Sequence, residues 1–471
     1  MSMSKVKTFL YGTSSDRDVL WKLDLTLVPF FGIMYFLFNL ERASYSTAYI
    51  SGMGEDIGFV GKQYNYMGTC FLVGFAVSQT PFTILLGTTR PRYVFFIANI
   101  VWSLLTLVTY RLTNVYQFFV VNLLEGVFSS GVFVGAHFML GSWYKKQELG
   151  KRAAIFVSMG HIGHVAGGWI QAALIDSLKG NKNTSLPAWR WIFIIVFFIS
   201  LPFVFLGLIA IPDLPKHRNA WFLNEDEKEV ALGRMEHKQR KLENGSDNFT
   251  FYTLIGVISS WQFWLMPFMF FLYGVSVQML GNNVMALWMK SEGFSVIEMN
   301  RYPTAIFACA ILGTVGYSVL SDKLGSRWQA SIAIGFTFTL SCSLLLSDSV
   351  PVPGKFFAFY ALGTCLAPQA LWFSWCADVT EHDIHLRAVT TGWMNAVVEG
   401  SISWWPVVFY PVTDAPLYKK GFTASLILGT LIVPTVALVV YLEAKQKREL
   451  ASASQSLMEP SEEETPLIIS T

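Results

Sequence analysis

Hydrophobic positions in this chain fall into long blocks near 25–45, 65–86, 93–111, 116–139, 152–176 and 189–211. A second series follows near 256–287, 302–321, 328–346, 355–376, 386–409 and 420–442. A helix needs about 20 mainly apolar residues to cross a hydrocarbon core of about 30 Å, so each block reads as one span. The stretch between the two series is polar: Asp213 to Asp247 holds 15 charged side chains in 35 positions. Six spans, a charged loop and six spans outline a duplicated bundle. The predicted fold class is an all-α membrane protein of twelve transmembrane helices in two pseudo-symmetric six-helix halves. The predicted divisions are a cytoplasmic N-tail (1–22), a first bundle (23–211), a cytoplasmic central loop (212–255), a second bundle (256–442) and a disordered cytoplasmic tail (443–471). Within the loop, Asn224-Glu225-Asp226-Glu227 predicts an N-cap with Glu three residues on, opening a short helix.

Composition agrees with that pattern. Hydrophobic residues make up 53% of the 471 positions and charged residues 14%, against roughly 25% charged in soluble domains. The net charge of +2 gives no footprint for nucleic acid. Five cysteines all lie inside apolar blocks, without paired or metal-ligand spacing, and read as buried thiols. The first 22 residues are polar, so no cleavable signal peptide is expected. Most of the 34 lysines and arginines collect on the side that carries both termini and the central loop, which orients that side toward the cytoplasm. The sequon Asn183-Thr184-Ser185 then falls in an outer loop, where Asn183 is a glycosylation candidate. Those at Asn244 and Asn248 fall inside.

Ionisable groups inside a bilayer are costly and usually face a cavity and a partner. Glu125 in span four and Glu399 in span eleven are therefore the candidate proton carriers. Glu41-Arg42, read as lying at the outer end of span one, is a candidate gate (Glu41) and anion contact (Arg42). His164 in span five and Asn282, Asn283 and Asn395 in spans seven and eleven are candidate substrate contacts. Gly160, Gly163, Gly167 and Gly168 predict close packing of span five. His161/His164 and His382/His385 are each spaced His-x-x-His, too few ligands for a metal site, so no metal and no cofactor is expected.

Asp322-Lys323-Leu324-Gly325-Ser326-Arg327, between spans eight and nine, resembles the D-R/K-x-G-R-R loop of the major facilitator superfamily. The resemblance makes Asp322, Lys323 and Arg327 conformational residues that bridge neighbouring helices. More specific strings are Glu41-Arg42 with Tyr49-Ile50-Ser51-Gly52-Met53-Gly54-Glu55-Asp56, then His137-Phe138-Met139-Leu140-Gly141-Ser142-Trp143-Tyr144 with Glu148 and Arg152, and Trp189-Arg190-Trp191. Together they resemble the fungal anion:cation symporter (allantoate permease) family, most of all its pantothenate-permease branch. The family's fourth span carries Arg-x-x-x-Gly/Ala-x-x-Glu. Here Asn122 stands for the Arg and Ser129 for the Glu, with a new carboxylate at Glu125, so Asn122 joins the candidate substrate contacts. Glu399 stands where the pantothenate branch has a small residue.

The resemblance implies a secondary transporter and not an enzyme. It implies proton-coupled uptake of a small organic anion, pantothenate or a similar vitamin-like carboxylate, by alternating access. The expected partners are the substrate, protons and the bilayer, and the expected state is a monomer. The expected location is the plasma membrane, with vacuolar or endosomal membranes as alternatives. The rival readings are an exporter of a secondary metabolite on the same fold and a non-transporting nutrient sensor. No G-x-x-x-x-G-K-[ST] phosphate loop is present to harness ATP.

Overall fold

The computed structural model describes residues 14–178, 186–215, 219–233, 251–280, 283–366, 368–380 and 383–458. Backbone polar groups in a bilayer core must be satisfied within the segment, and the described residues are accordingly helical. The first half comprises α1 (Ser14–Ala48), α2 (Gln63–Thr88), α3 (Pro91–Thr109), α4 (Val115–Ser129, continued by Gly131–Trp143), α5 (Lys146–Leu178) and α6 (Ala188–Ala210). The second comprises α7 (Trp261–Ser276, a 3-10 turn at Val277–Leu280, then Val284–Ser291), α8 (Thr304–Leu324) and α9 (Trp328–Leu346). It continues with α10 (Val352–Thr364, then Pro368–Val379), α11 (Ile384–Ile402) and α12 (Lys419–Met458).

Ten of these segments are long and apolar enough to cross a bilayer unaided. The exceptions are α10, which breaks before Pro368, and α11, which carries Arg387, Asn395 and Glu399. Proline clashes with the preceding turn and donates no N–H, so the helix stops ahead of it. The polar positions of α11 are tolerable only where they turn from lipid.

The duplication is visible in the packing. In the first half α1 pairs with α5, α2 with α4 and α3 with α6; in the second, α7 pairs with α11, α8 with α10 and α9 with α12. Each half has its own hydrophobic core. The α2–α4 crossing is a reciprocal glycine contact. A Cβ on Gly74 would lie 2.2 Å from the Leu123 carbonyl oxygen, and one on Gly126 would lie 2.2 Å from that of Phe71. The α8–α10 crossing repeats the device with Gly313 on Thr364 and Gly363 on Ile306. Gly160, Gly163 and Gly167 seat α5 on α1 as expected, while Gly168 touches the Asn300 backbone of the other half.

On the face that carries the termini, ion pairs tie the first half together: Arg152 to Asp24 (2.5 Å), Lys145 to Asp16 (3.0 Å) and Lys22 to Glu227 (2.7 Å). Glu227 also accepts the Asn224 N–H at 2.8 Å, forming the expected N-cap of a helix over 225–233. Burial works to raise its carboxyl, but Lys22 and the Asn224 N–H outweigh it and hold the group below the ordinary range. In the second half Arg327 meets Asp378 at 3.3 Å and Ser321 Oγ at 3.2 Å, bridging the α8–α9 turn to α10. Lys323 is exposed; the side chain of Asp322 lies outside the described residues. The tail expected to be disordered over 443–471 is helical as far as Met458. Lys447–Glu443 and Lys445–Glu449 pairs at i,i+4 support that extension.

Candidate substrate site between the halves

At the opposite face the two halves are fastened to each other. Asn65 on α2 donates to the Tyr410 carbonyl (3.2 Å) and accepts the Val412 N–H (3.0 Å), gripping the chain just beyond α11. Thr69 reaches the Ser403 carbonyl (2.9 Å), Lys62 the Val407 carbonyl (3.0 Å), Lys290 meets Glu55 (3.3 Å) and Asn300 meets Ser51 (3.1 Å). Asn283 takes a left-handed backbone conformation (φ 59°) where α7 restarts. Its side chain binds the Ser46 hydroxyl and carbonyl on α1 and the Tyr64 hydroxyl (3.0 Å) on α2. In this state Asn283, a candidate substrate contact, bridges the two halves and also lines the cavity below. Asn282 and Asn183 lie outside the described residues.

Beneath that seal lies a cavity of about 270 Å³, walled by α1, α2, α5, α7, α8 and the turn after α11. Arg42 enters it from α1. Its guanidinium stacks over the Phe71 ring at 3.6 Å and donates to Asn122 Oδ1 at 3.2 Å. It stands 3.8 Å from Glu125, with 19% of its side chain exposed. Asn122 is wholly buried and donates to the Phe118 carbonyl, so in this state it orients Arg42 from behind the cavity wall. His164 lies flat on Phe307 (4.4 Å, 8°), and both line the cavity.

Glu125 is fully buried and accepts the Tyr45 hydroxyl at 2.7 Å, which in turn meets Thr109 at 3.0 Å. Its neighbour on the other side is Glu41, which also reaches Thr106 and Trp102 of α3. Glu41 is only 2% exposed. It belongs to the interior of the bundle, not to the outer end of span one, because the helical path continues past Ala48 through Tyr49–Met53 to Ile57. Ser129, which stands where the family has its Glu, donates to the Gly126 carbonyl of its own helix (3.5 Å). Glu399 is half-buried on α11 near Tyr35 of α1, with Asn395 half-buried one turn away. The structure thus brings Glu41, Arg42, Asn122 and Glu125 together and leaves Glu399 and Asn395 apart from them. Tyr45, Phe71, Tyr64 and Ser46 were not singled out from the sequence. Tyr45 had a signal: it lies three and four residues after Arg42 and Glu41, on their helix face.

Two repeated six-helix halves, closed against each other at one face over a cavity that a single guanidinium enters with buried carboxyls behind it, define a secondary transporter working by alternating access. The Major Facilitator Superfamily profile matches residues 31–406, and the chain belongs to that superfamily. It is 33% identical to the pantothenate transporter liz1 of Schizosaccharomyces pombe, covering 94% of this chain and 86% of that one. It is 30% identical to the pantothenate transporter FEN2 of Saccharomyces cerevisiae (92% and 85% covered) and 26% identical to the vitamin H transporter of that yeast (93% and 75%). The fold matches an inward-facing bacterial homologue of the human lysosomal transporter Spinster (TM-score 0.63, 13% identity, 89% and 96% covered). It also matches the xylose transporter XylE from E. coli in a partially occluded inward-open form (TM-score 0.62, 13% identity, 88% and 99%).

Proposed function

We propose that this transporter takes up pantothenate, or a similar vitamin-like carboxylate, with protons across the plasma membrane. The observation that carries the reading is Arg42, the cation presented to a cavity between the halves and the natural partner of a carboxylate. The largely apolar walls suit the aliphatic body of such an acid, and relatives matched over more than 90% of this chain are named for pantothenate and vitamin H. Both halves of one chain complete the cavity, so a monomer suffices. Glu125 beside Arg42, and Glu399 on the opposing half, are the carboxyls available to carry protons.

The test is uptake of radiolabelled pantothenate by yeast lacking its own transporter and expressing this chain, at acidic and neutral pH. Accumulation that rises at acidic pH and is competed by unlabelled pantothenate supports the reading; efflux from preloaded cells without uptake replaces it with an exporter.

Orientation gives a second expectation. The cation-rich face, with its helix over 225–233, sits in the cytoplasm. A Cys placed at Glu225, an exposed position on that helix, reacts with an impermeant thiol reagent only after permeabilisation. A Cys at Lys290, exposed on the sealed face, reacts in intact cells. The reverse pattern inverts the topology.

A further inference from the structure

Asn300 forms part of the cavity wall on the side of the second half. It sits on the short helix Val296–Arg301 that leads into α8, is 2% exposed, and lines the space that Arg42 enters from the first half. The partners of its amide fix which end is which. Nδ2 donates to Ser51 Oγ at 3.1 Å and to the Val296 carbonyl at 2.8 Å. The Ser51 hydroxyl gives its own proton to the Thr47 carbonyl at 2.7 Å, so toward Asn300 it only accepts. Turning the amide over would set its oxygen against the Val296 carbonyl, which has no proton to give. Oδ1 is therefore the remaining end, a buried acceptor that finds no donor among the described residues. Other buried polar atoms also lack a partner, those of Gln171 on α5 included; among the described residues that carry them, Asn300 alone lines the cavity. A buried acceptor without a donor is costly. At the wall of a binding cavity, the ligand is the natural source of that donor.

We propose that Asn300 Oδ1 accepts a hydrogen bond from a hydroxyl or amide N–H at the end of the substrate away from its carboxylate, so that the carrier selects acids with a donor there. The inference rests on the uptake reading above and deepens it by naming what the second half recognises. Pantothenate fits, because its carboxylate ends a chain whose far end carries hydroxyls. A plain aliphatic acid satisfies Arg42 and leaves Oδ1 as it was. A dicarboxylate sets a second anionic acceptor against an acceptor and is rejected. Arg42 belongs to the first half and the Val296–Arg301 helix to the second, so an acid with both groups links the halves through its own length.

The experiment uses the purified full chain in proteoliposomes, wild type and with Asn300→Leu or Ser51→Ala. It compares initial uptake of pantothenate with that of the same acid with its hydroxyls replaced by hydrogen. In the wild type the KM of the dehydroxylated acid is expected to lie about 5- to 150-fold above that of pantothenate. Asn300→Leu raises the pantothenate KM toward that of the analogue, and the ratio falls toward one; Asn300→Ala serves the same comparison if Leu does not fold. Ser51→Ala removes the contact between the halves, leaves Oδ1 held through Val296, and keeps the ratio. A general loss of stability or rate moves both acids together, so the ratio reads the contact itself. Equal KM values in the wild type, a ratio that survives in Asn300→Leu, or one lost as fully in Ser51→Ala would overturn the assignment. If the wild type moves neither acid, the uptake reading fails. Stronger protection of the purified chain against thermal unfolding by hydroxyhexanoate than by hexanoate, lost in Asn300→Leu, then upholds the acceptor, and no such difference overturns it.

Discussion

Arg42→Ala raises the KM for pantothenate by about 10- to 150-fold, since a hydrogen bond to a charged group is worth about 1.5–3 kcal/mol and 1.36 kcal/mol is tenfold. The loss falls on binding because Arg42 is the cation that the cavity presents, stacked on Phe71 and aimed by Asn122. It does not fall on folding alone, because only part of the guanidinium is spent on protein: Glu125 is 3.8 Å away and has its own donor in Tyr45. Arg42→Lys restores the charge without the planar fork that reaches Asn122 while lying on a ring, so its KM falls between the two. Initial uptake rates across substrate concentration, beside thermal melting of each purified variant, separate the contributions. An unchanged KM in the Ala variant at normal stability would assign Arg42 to structure.

Gly126→Val abolishes accumulation of folded protein, or sharply lowers its melting temperature, and reduces transport in whatever remains. A Cβ there would stand 2.2 Å from the Phe71 carbonyl oxygen and 2.8 Å from the Phe75 nitrogen. Both are backbone atoms of α2 and cannot rotate away, so the α2–α4 crossing must widen. Overpacking of this kind costs about 1–3 kcal/mol and occasionally more. Because Phe71 also carries Arg42 on its ring, the same displacement reaches the cavity. Gly316→Val is the control, since a Cβ at that α8 position meets nothing within 4 Å. Fluorescence-detected size exclusion of the two variants decides the matter; equal, wild-type profiles would show that the crossing is not close-packed in the membrane.

Parts of the site were legible along the chain for a plain reason. A charge in an apolar block stands out, so Arg42, Glu125 and Glu399 were all visible. Their partners were not. Glu41 was misplaced because the end of span one was judged where hydrophobicity fades, near residue 45. The helix in fact runs on through Ala48, a turn at Tyr49–Met53 and Gly52 at φ 112° to Ile57. That continuation carries Glu41 into the bundle, where it meets a carboxyl 84 positions away. Asn283 was read as a neutral hydrogen-bonding group and candidate substrate contact; its left-handed backbone at the restart of α7 turns its amide onto Ser46 and Tyr64. Nothing in the adjoining residues announces that geometry.

What the chain determines by itself is the number of spans, the charged segment between two sixes and the side on which cations gather. A bilayer imposes these locally, one segment at a time, through hydrophobic length and backbone satisfaction. Which helix faces which is not local. The tertiary structure alone decided that α1, α3 and α4 place two carboxyls and a guanidinium in one buried cluster, and that Glu399 stands outside it. It also decided that Asn65 and Asn283 close the far side over the cavity. Those outcomes depend on glycine contacts such as Gly74–Leu123 and Gly126–Phe71, which set how near two helices come and therefore which side chains can touch.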